Sequence, residues 1–227
     1  MTAHPEPFSP LTEAELASVH REYRAASLLP KRAYHDPAIF DWEREHVVRT
    51  DWVPVAREED APDPGAYTLV ELDGESIIVV RGRDGALRAF FNVCRHRGTA
   101  VAEEACGKVV RFQCPYHAWI YDLEGHLVRA KHTEDLEDFS FERFGLASVR
   151  LDTWQGFVFL SLDPAAAPLS EQLGDLVDHW SRFDFRGLRS AKRVEYEVAA
   201  NWKFVAENYS ECYHCPGVHP QLNKLTP

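Results

Sequence analysis

The chain has 227 residues, with 25 basic against 36 acidic ones, a formal charge of −11, 45% hydrophobic and 27% charged. That composition belongs to a folded globular protein of one large or two small domains, and excludes a disordered or fibrous chain. The acidic excess argues against nucleic acid or an anionic membrane as main partner, and no run of 18 apolar residues could span a bilayer.

Residues 1–10 lack the basic-then-apolar pattern of an export signal, which points to a cytoplasmic protein. Thr12 and Glu15 have the form of a capping box, and Leu16, Val19 and Tyr23 follow at helical spacing, predicting a helix over 12–27. Asp36 before Pro37 opens a second helix, to residue 48. From residue 51 the period changes. Segments 52–56, 67–72, 76–81, 87–93, 108–113, 119–122, 126–129, 147–151 and 156–162 are short and rich in β-branched and aromatic residues. Asp73-Gly74, Asp84-Gly85 and Glu124-Gly125 mark turns between them. A Pro- and Ala-rich stretch at 163–168 reads as a linker; a helix over 169–183, a strand over 190–199 and an amphipathic helix over 201–214 follow. The expected organisation is an N-terminal helical segment (1–49), an antiparallel β domain (50–163), a linker and helix (164–189) and the beginning of a further domain (190–227).

Five cysteines stand at 94, 106, 114, 212 and 215. The number is odd and the setting cytoplasmic, so metal ligation or buried thiols come before a disulfide framework. The strongest signal is Cys94-Arg95-His96, followed after 17 intervening residues by Cys114-Pro115-Tyr116-His117. Each pair falls between two predicted strands, so two loops can converge on one centre. Two thiolates and two imidazoles suit either tetrahedral zinc or a [2Fe–2S] cluster with two Cys on one iron and two His on the other. The one-residue gap in Cys94-x-His96 is tighter than zinc fingers use. Cys106 reads as an ordinary thiol, since the four ligand positions are already filled.

The pattern resembles the Rieske motif, and its flanks, Arg97-Gly98 and Ala118-Trp119, are similar to those of ring-hydroxylating oxygenase α subunits. Gly98 and Tyr116 stand where Rieske proteins of respiratory complexes carry an extra cysteine pair, which places the resemblance with oxygenases and ferredoxins. The implied fold is an all-β Rieske domain followed by the start of an α+β helix-grip catalytic domain. The implied cofactor is a [2Fe–2S] cluster on Cys94, His96, Cys114 and His117, in a potential range of about −150 to +300 mV.

A second constellation runs Asn201-Trp202-Lys203, Glu207-Asn208, Glu211, Cys212-Tyr213-His214-Cys215 and Val218-His219-Pro220. On an unbroken helix His214 and His219 would lie about 140° apart, but Pro216, Gly217 and Pro220 break it and allow the rings to meet. Two imidazoles and a carboxylate with open positions form the triad that Fe(II) uses to activate O2. With Cys212 and Cys215 the same residues could make a zinc site. The segment resembles the opening of the α-subunit catalytic domain. That resemblance implies His214 and His219 as ligands of a mononuclear Fe(II), and Glu211 as a carboxylate joining a Rieske histidine, His117, to the iron site across a subunit boundary. Glu211 in place of the Asp of many ring dioxygenases, with Cys212 to His214 beside it, is similar to the branch acting on quaternary ammonium compounds such as glycine betaine, carnitine or stachydrine.

The family's third iron ligand is a later Asp; no Asp or Glu follows Glu211, so the chain is expected to stop early in the catalytic domain. The implied function is a terminal oxygenase component, fed singly with electrons by an NAD(P)H-dependent ferredoxin-type reductase, hydroxylating or N-demethylating a small-molecule substrate with O2 as a homotrimer. The rival readings are a ferredoxin-like electron carrier, a catalytically incomplete fragment and a zinc-bound structural module.

Overall fold

The computed structural model describes residues 10–133 and 135–225. Residues 1–9, most of the segment read for an export signal, and the terminal pair 226–227 lie outside the described residues. Helices α1 (Glu13–Leu16), α2 (Arg32–His35) and α3 (Pro37–Glu43) precede a π-helical turn at Arg44–Val48. The strands are β1 (Val53–Arg57), β2 (Ala66–Leu72), β3 (Glu75–Arg81), β4 (Leu87–Phe91), β5 (Cys106–Lys108), β6 (Phe112–Gln113), β7 (Ile120–Tyr121), β8 (Leu127–Arg129), β9 (Ser148–Trp154) and β10 (Phe157–Ser161). Helices α4 (Leu169–Leu173), α5 (Leu176–His179), α6 (Trp202–Tyr209), α7 (Cys215–Val218) and α8 (Pro220–Leu225) complete the order. No helix among the described residues is long and apolar enough to cross a membrane. The chain divides into two compact units, residues 44–190 and the residues up to 43 together with those from 191 onward.

The 44–190 unit is an antiparallel β body. One sheet runs β1-β10-β9-β4-β3-β2-β5 and a second runs β6-β7-β8. Strand β3 explains how they cohere. Its residues Ile77, Ile78, Val79 and Val80 are all buried, so an unbroken apolar run serves two faces. By the strand's period of two, Ile78 and Val80 pack with Phe90, Phe112, Trp119 and Tyr121, while Ile77 and Val79 pack with Val149, Val158 and Leu160. The Asp73-Gly74 turn has φ of 51° and 79°, the left-handed pair a two-residue hairpin turn needs. Gln155-Gly156 does the same between β9 and β10, with φ of 51° and 83°. The Asp73 carboxylate is buried and ion-paired to Arg44 at 2.5 Å and Arg49 at 3.1 Å, which ties the π-helical turn to that hairpin.

Several expectations differ from the structure. The stretch read as a linker packs Ala166 with Trp52, Phe159 and Leu169, and the Trp52 indole N–H donates to the Ala167 carbonyl at 2.7 Å. The helix expected over 169–183 is cut into α4 and α5 at Gly174, whose φ is +50°. Residues 190–199 form no ladder with any described residue: Val194, Tyr196 and Val198 alternate as a strand should, yet all are exposed. Alternation makes a segment competent to pair; a ladder also needs a partner.

In the other unit the capping box of Thr12 and Glu15 forms as expected, but the helix ends at Leu16. Its apolar stripe is covered only in part: Leu16 and Val19 are half-buried and Tyr23 is 80% exposed, and so short a helix does not persist without fuller packing. Helix α6 starts where Asn201 Oδ1 accepts the Lys203 N–H at 3.0 Å, and ends at Tyr209, short of the expected residue 214. The Lys203 ammonium is buried against both carboxylate oxygens of Glu43, at 2.7 and 2.8 Å, and the Trp202 indole donates to Glu43 at 3.0 Å. Tyr34 stacks on Phe204 and its hydroxyl donates to Glu207 at 2.7 Å; burial and that carboxylate push the Tyr34 phenol up to about 12. Glu43→Ala strands the Lys203 charge and should cost about 3–5 kcal/mol. Urea denaturation followed by tryptophan fluorescence measures it, and the double variant E43M/K203M should regain most of the loss.

Candidate metal centres

Two loops of the β body carry the first set of donors, and they are built alike. In the β4–β5 loop the Cys94 N–H donates to the Thr99 carbonyl at 2.8 Å, and the Cys94 carbonyl accepts from Gly98 at 2.9 Å. In the β6–β7 loop the Cys114 N–H donates to the Trp119 carbonyl at 2.8 Å, and the Cys114 carbonyl accepts from Ala118 at 3.0 Å. The accepting turn puts its fifth residue in the left-handed region each time, Gly98 at φ 75° and Ala118 at φ 56°. Glycine adopts that conformation freely; alanine is strained there. The buried side chain of Asn92 closes the exit of the first loop. Its Oδ1 accepts the Val101 and Ala102 N–H groups, both at 2.8 Å, and its Nδ2 donates to the Ala102 carbonyl at 2.8 Å.

This geometry brings the four expected residues together with opposite burial at the two ends. Cys94 and Cys114 are each 2% exposed and share one buried cluster with Trp119 and Tyr121. His96 and His117 are exposed, edge to face with ring centroids 4.6 Å apart. Trp119 stacks on His96 at 4.9 Å. Burial raises the Cys114 thiol above its ordinary range, against the pull of the Tyr116 and His117 N–H groups aimed at its sulfur. A thiolate there is stable beside a cation. Desolvation on the Trp119 side, with His117 and Arg97 nearby, lowers His96 and favours the neutral ring that ligates metal, although its outer edge meets solvent. The donor set fits a [2Fe–2S] cluster, two ligands to each iron. No three His, Cys, Asp or Glu among the described residues converge on one point, and a centre that spreads four ligands over two metals does not need them to.

Beside the imidazoles opens a cleft of about 660 Å³ walled by Trp119, Phe139 and Phe144, with Arg95 and Lys131 at its lining.

The second set lies on α6 to α8. Helix α7 turns the chain so that His219 returns to His214, with ring centroids 5.4 Å apart and planes at 77°. Glu211 accepts from the Tyr213 N–H and lies 2.7 Å from His214 Nδ1, leaving Nε2 of that half-buried ring free of the contact. The hydrogen bond with His214, with the Tyr213 N–H beside it, holds the Glu211 carboxyl below the usual range. A lowered carboxyl makes this pairing complete above the ordinary carboxylate range and lost as pH falls through the lowered value. Glu211 orients His214 as a carboxylate orients a metal-bound imidazole. The set fits an iron held by two histidines, with further positions to fill.

Tyr121 is the site residue that sequence reasoning missed. Its hydroxyl accepts the Arg95 N–H at 3.1 Å and lies 3.3 Å from Cys94 Sγ, to which it is the donor once that sulfur is a deprotonated ligand. It sits seven residues beyond Cys114 in an ordinary strand, and nothing in its spacing marks it. Asn92, a lone amide at the end of an apolar strand, could have been flagged by that contrast alone.

Residues 51–140 match the Rieske [2Fe-2S] domain, and residues 185–227 match the catalytic domain of the ring hydroxylating alpha subunit. The carnitine monooxygenase oxygenase subunit of Escherichia coli strain K12 is 40% identical over 195 residues, covering 85% of this chain and 52% of that protein. The glycine betaine monooxygenase oxygenase subunit of Chromohalobacter salexigens is 37% identical over 207 residues, covering 91% and 46%. The solved structure of the quaternary ammonium Rieske monooxygenase CntA with gamma-butyrobetaine superposes with a TM-score of 0.84 at 33% identity, over 92% of this chain and 60% of that one. This chain thus spans about half the length of the curated relatives it matches.

Two substitutions test the centre in the β body. Ala118→Gly should raise stability by about 0.5–1 kcal/mol, the left-handed strain less glycine's extra freedom when unfolded, and a thermal melt should move up by about 1–4 °C. Tyr121→Phe removes a donor to a ligand sulfur. If that bond favours the reduced form by about 1 kcal/mol, the potential falls on the order of 40 mV, read by a redox titration followed by EPR.

Proposed function

Because this chain belongs to the family of Rieske oxygenase α subunits, we propose that it is the electron-receiving and iron-holding part of a terminal oxygenase. Cys94, His96, Cys114 and His117 would hold the [2Fe–2S] cluster, and His214 and His219 a mononuclear Fe(II). When bound, the two groups supply one-electron transfer and O2 activation for hydroxylation or N-demethylation of a small molecule. Carnitine and glycine betaine, named for the relatives, give the substrate class: a quaternary ammonium compound.

The chain's own residues divide the work. The buried thiols exclude water from one end of the centre, and the exposed imidazoles present N–H groups to whatever enters the adjoining cleft. The basic lining from Arg95 and Lys131 suits a carboxylate there. Glu211 of a neighbouring subunit is the carboxylate we assign to it: one oxygen stays on His214, and the other reaches the partner's imidazole, fixing both tautomers at once. That role requires a homo-oligomer, which we read as a trimer; we further assign it a separate NAD(P)H-dependent ferredoxin-type reductase and a cytoplasmic setting.

The observation that carries the reading is the return of His219 to His214 with Glu211 already on that ring. An electron carrier has no use for a second histidine pair. The discriminating measurement is iron and labile sulfide per chain, with EPR after dithionite reduction. Two irons and two sulfides with a Rieske signal, plus a further chelatable iron that His214→Ala abolishes, support the proposal. The same cluster with no added iron at His214 and His219 overturns it in favour of a carrier. Glu211→Gln should leave the cluster signal unchanged and reduce product formation with reductase by about 10- to 100-fold; undiminished turnover would dismiss the bridging role.

A further inference from the structure

Two cysteines that the centres do not use stand either side of His214. Cys212 is exposed and Cys215 buried, and both are free thiols. The Cys215 N–H donates to the Cys212 carbonyl at 3.0 Å. That turn hydrogen bond keeps the two Cα atoms within about 7 Å, close to the span that a disulfide accepts. An outer thiol that solvent reaches, with an inner thiol beside it and two residues between, is a pair able to resolve its own mixed disulfide. Cys106, exposed on β5, gives a built-in reference for simple surface reactivity.

We propose that Cys212 and Cys215 are a reversible redox modification site whose oxidant is a small-molecule disulfide such as glutathione disulfide. The Cys212 sulfur, giving up its proton, attacks one sulfur of the oxidant; the oxidant's S–S bond breaks, and one glutathione leaves and takes up that proton. The Cys215 sulfur then attacks the mixed disulfide at Cys212 and expels the second glutathione, which takes the Cys215 proton. Two electrons pass from the pair to the oxidant, and two glutathione thiols result. The ring so closed contains His214, so oxidation locks the turn that holds this histidine beside Glu211. The proposal does not rest on what His214 binds.

The test is equilibration of the purified chain in glutathione redox buffers, acid quenching, alkylation and mass spectrometry. Trypsin releases both cysteines in one peptide, 204–224. The expected product is that peptide lighter by two hydrogens and free of glutathione, restored by dithiothreitol, while Cys106 carries glutathione. In Cys215→Ser the glutathione should remain on Cys212, at least about tenfold more than in the parent chain, because a neighbouring thiol acts at millimolar effective concentration or above. Glutathione on Cys212 to the same extent in both proteins overturns the proposal. So does a peptide that stays a dithiol while Cys106 is fully modified.

Discussion

The buried amide of Asn92 is the constraint on which the first centre depends. Its three hydrogen bonds, two accepted from Val101 and Ala102 and one donated to Ala102, fix where the β4–β5 loop must end. With that exit pinned, the turn at Cys94 to Thr99 closes on itself and the Cys94 sulfur is delivered to Tyr121. A satisfied polar network in a dry interior is rigid, since each bond lost would leave an unpaired group with no water to replace it. Rigidity at this point suits a redox group, whose geometry should change little between its two oxidation states.

The second loop reaches the same result without such an amide, through a nearly identical turn. What differs is the residue given to the left-handed position, Gly98 in one loop and Ala118 in the other. Both loops bury sulfur and expose nitrogen, so the centre has a hydrophobic end facing the core and a polar end facing the cleft. The outcome follows from ordinary side-chain chemistry: a small soft thiol packs among Phe112, Trp119 and Tyr121, while an imidazole keeps one nitrogen for solvent or a partner.

Much of this was legible in the residue order. Local signals located the strands of the β body, the hairpin at Asp73-Gly74 and the two Cys-His loops, because each depends on neighbours a few positions away. The family resemblance likewise rested on short motifs. Contacts at long range left no local trace. Glu43 looks like any helical glutamate until Lys203 arrives 160 residues later, and Tyr121 looks like a core aromatic until its hydroxyl is placed on a sulfur. The Gln155-Gly156 turn was missed because glutamine is seldom chosen for positive φ, and the helix after Thr12 was overextended because periodicity cannot reveal whether there is anything to pack against. The return of His219 to His214 lies between these cases: Pro216 and Gly217 announced a break, and only the coordinates fixed its direction.

The unpaired stretch at 190–199 bears on how this chain behaves in solution. An extended segment that forms no ladder with any described residue is a template for another strand, and Val194, Tyr196 and Val198 give it an apolar side on which such a pairing would be favourable. The intervening positions are Arg193, Glu195 and Glu197, with Arg193 ion-paired to Glu195 at 2.6 Å. Stacking copies in register would set like charges above one another along the whole edge. The same alternation that makes the segment a strand in waiting therefore also carries its own gatekeepers against aggregation.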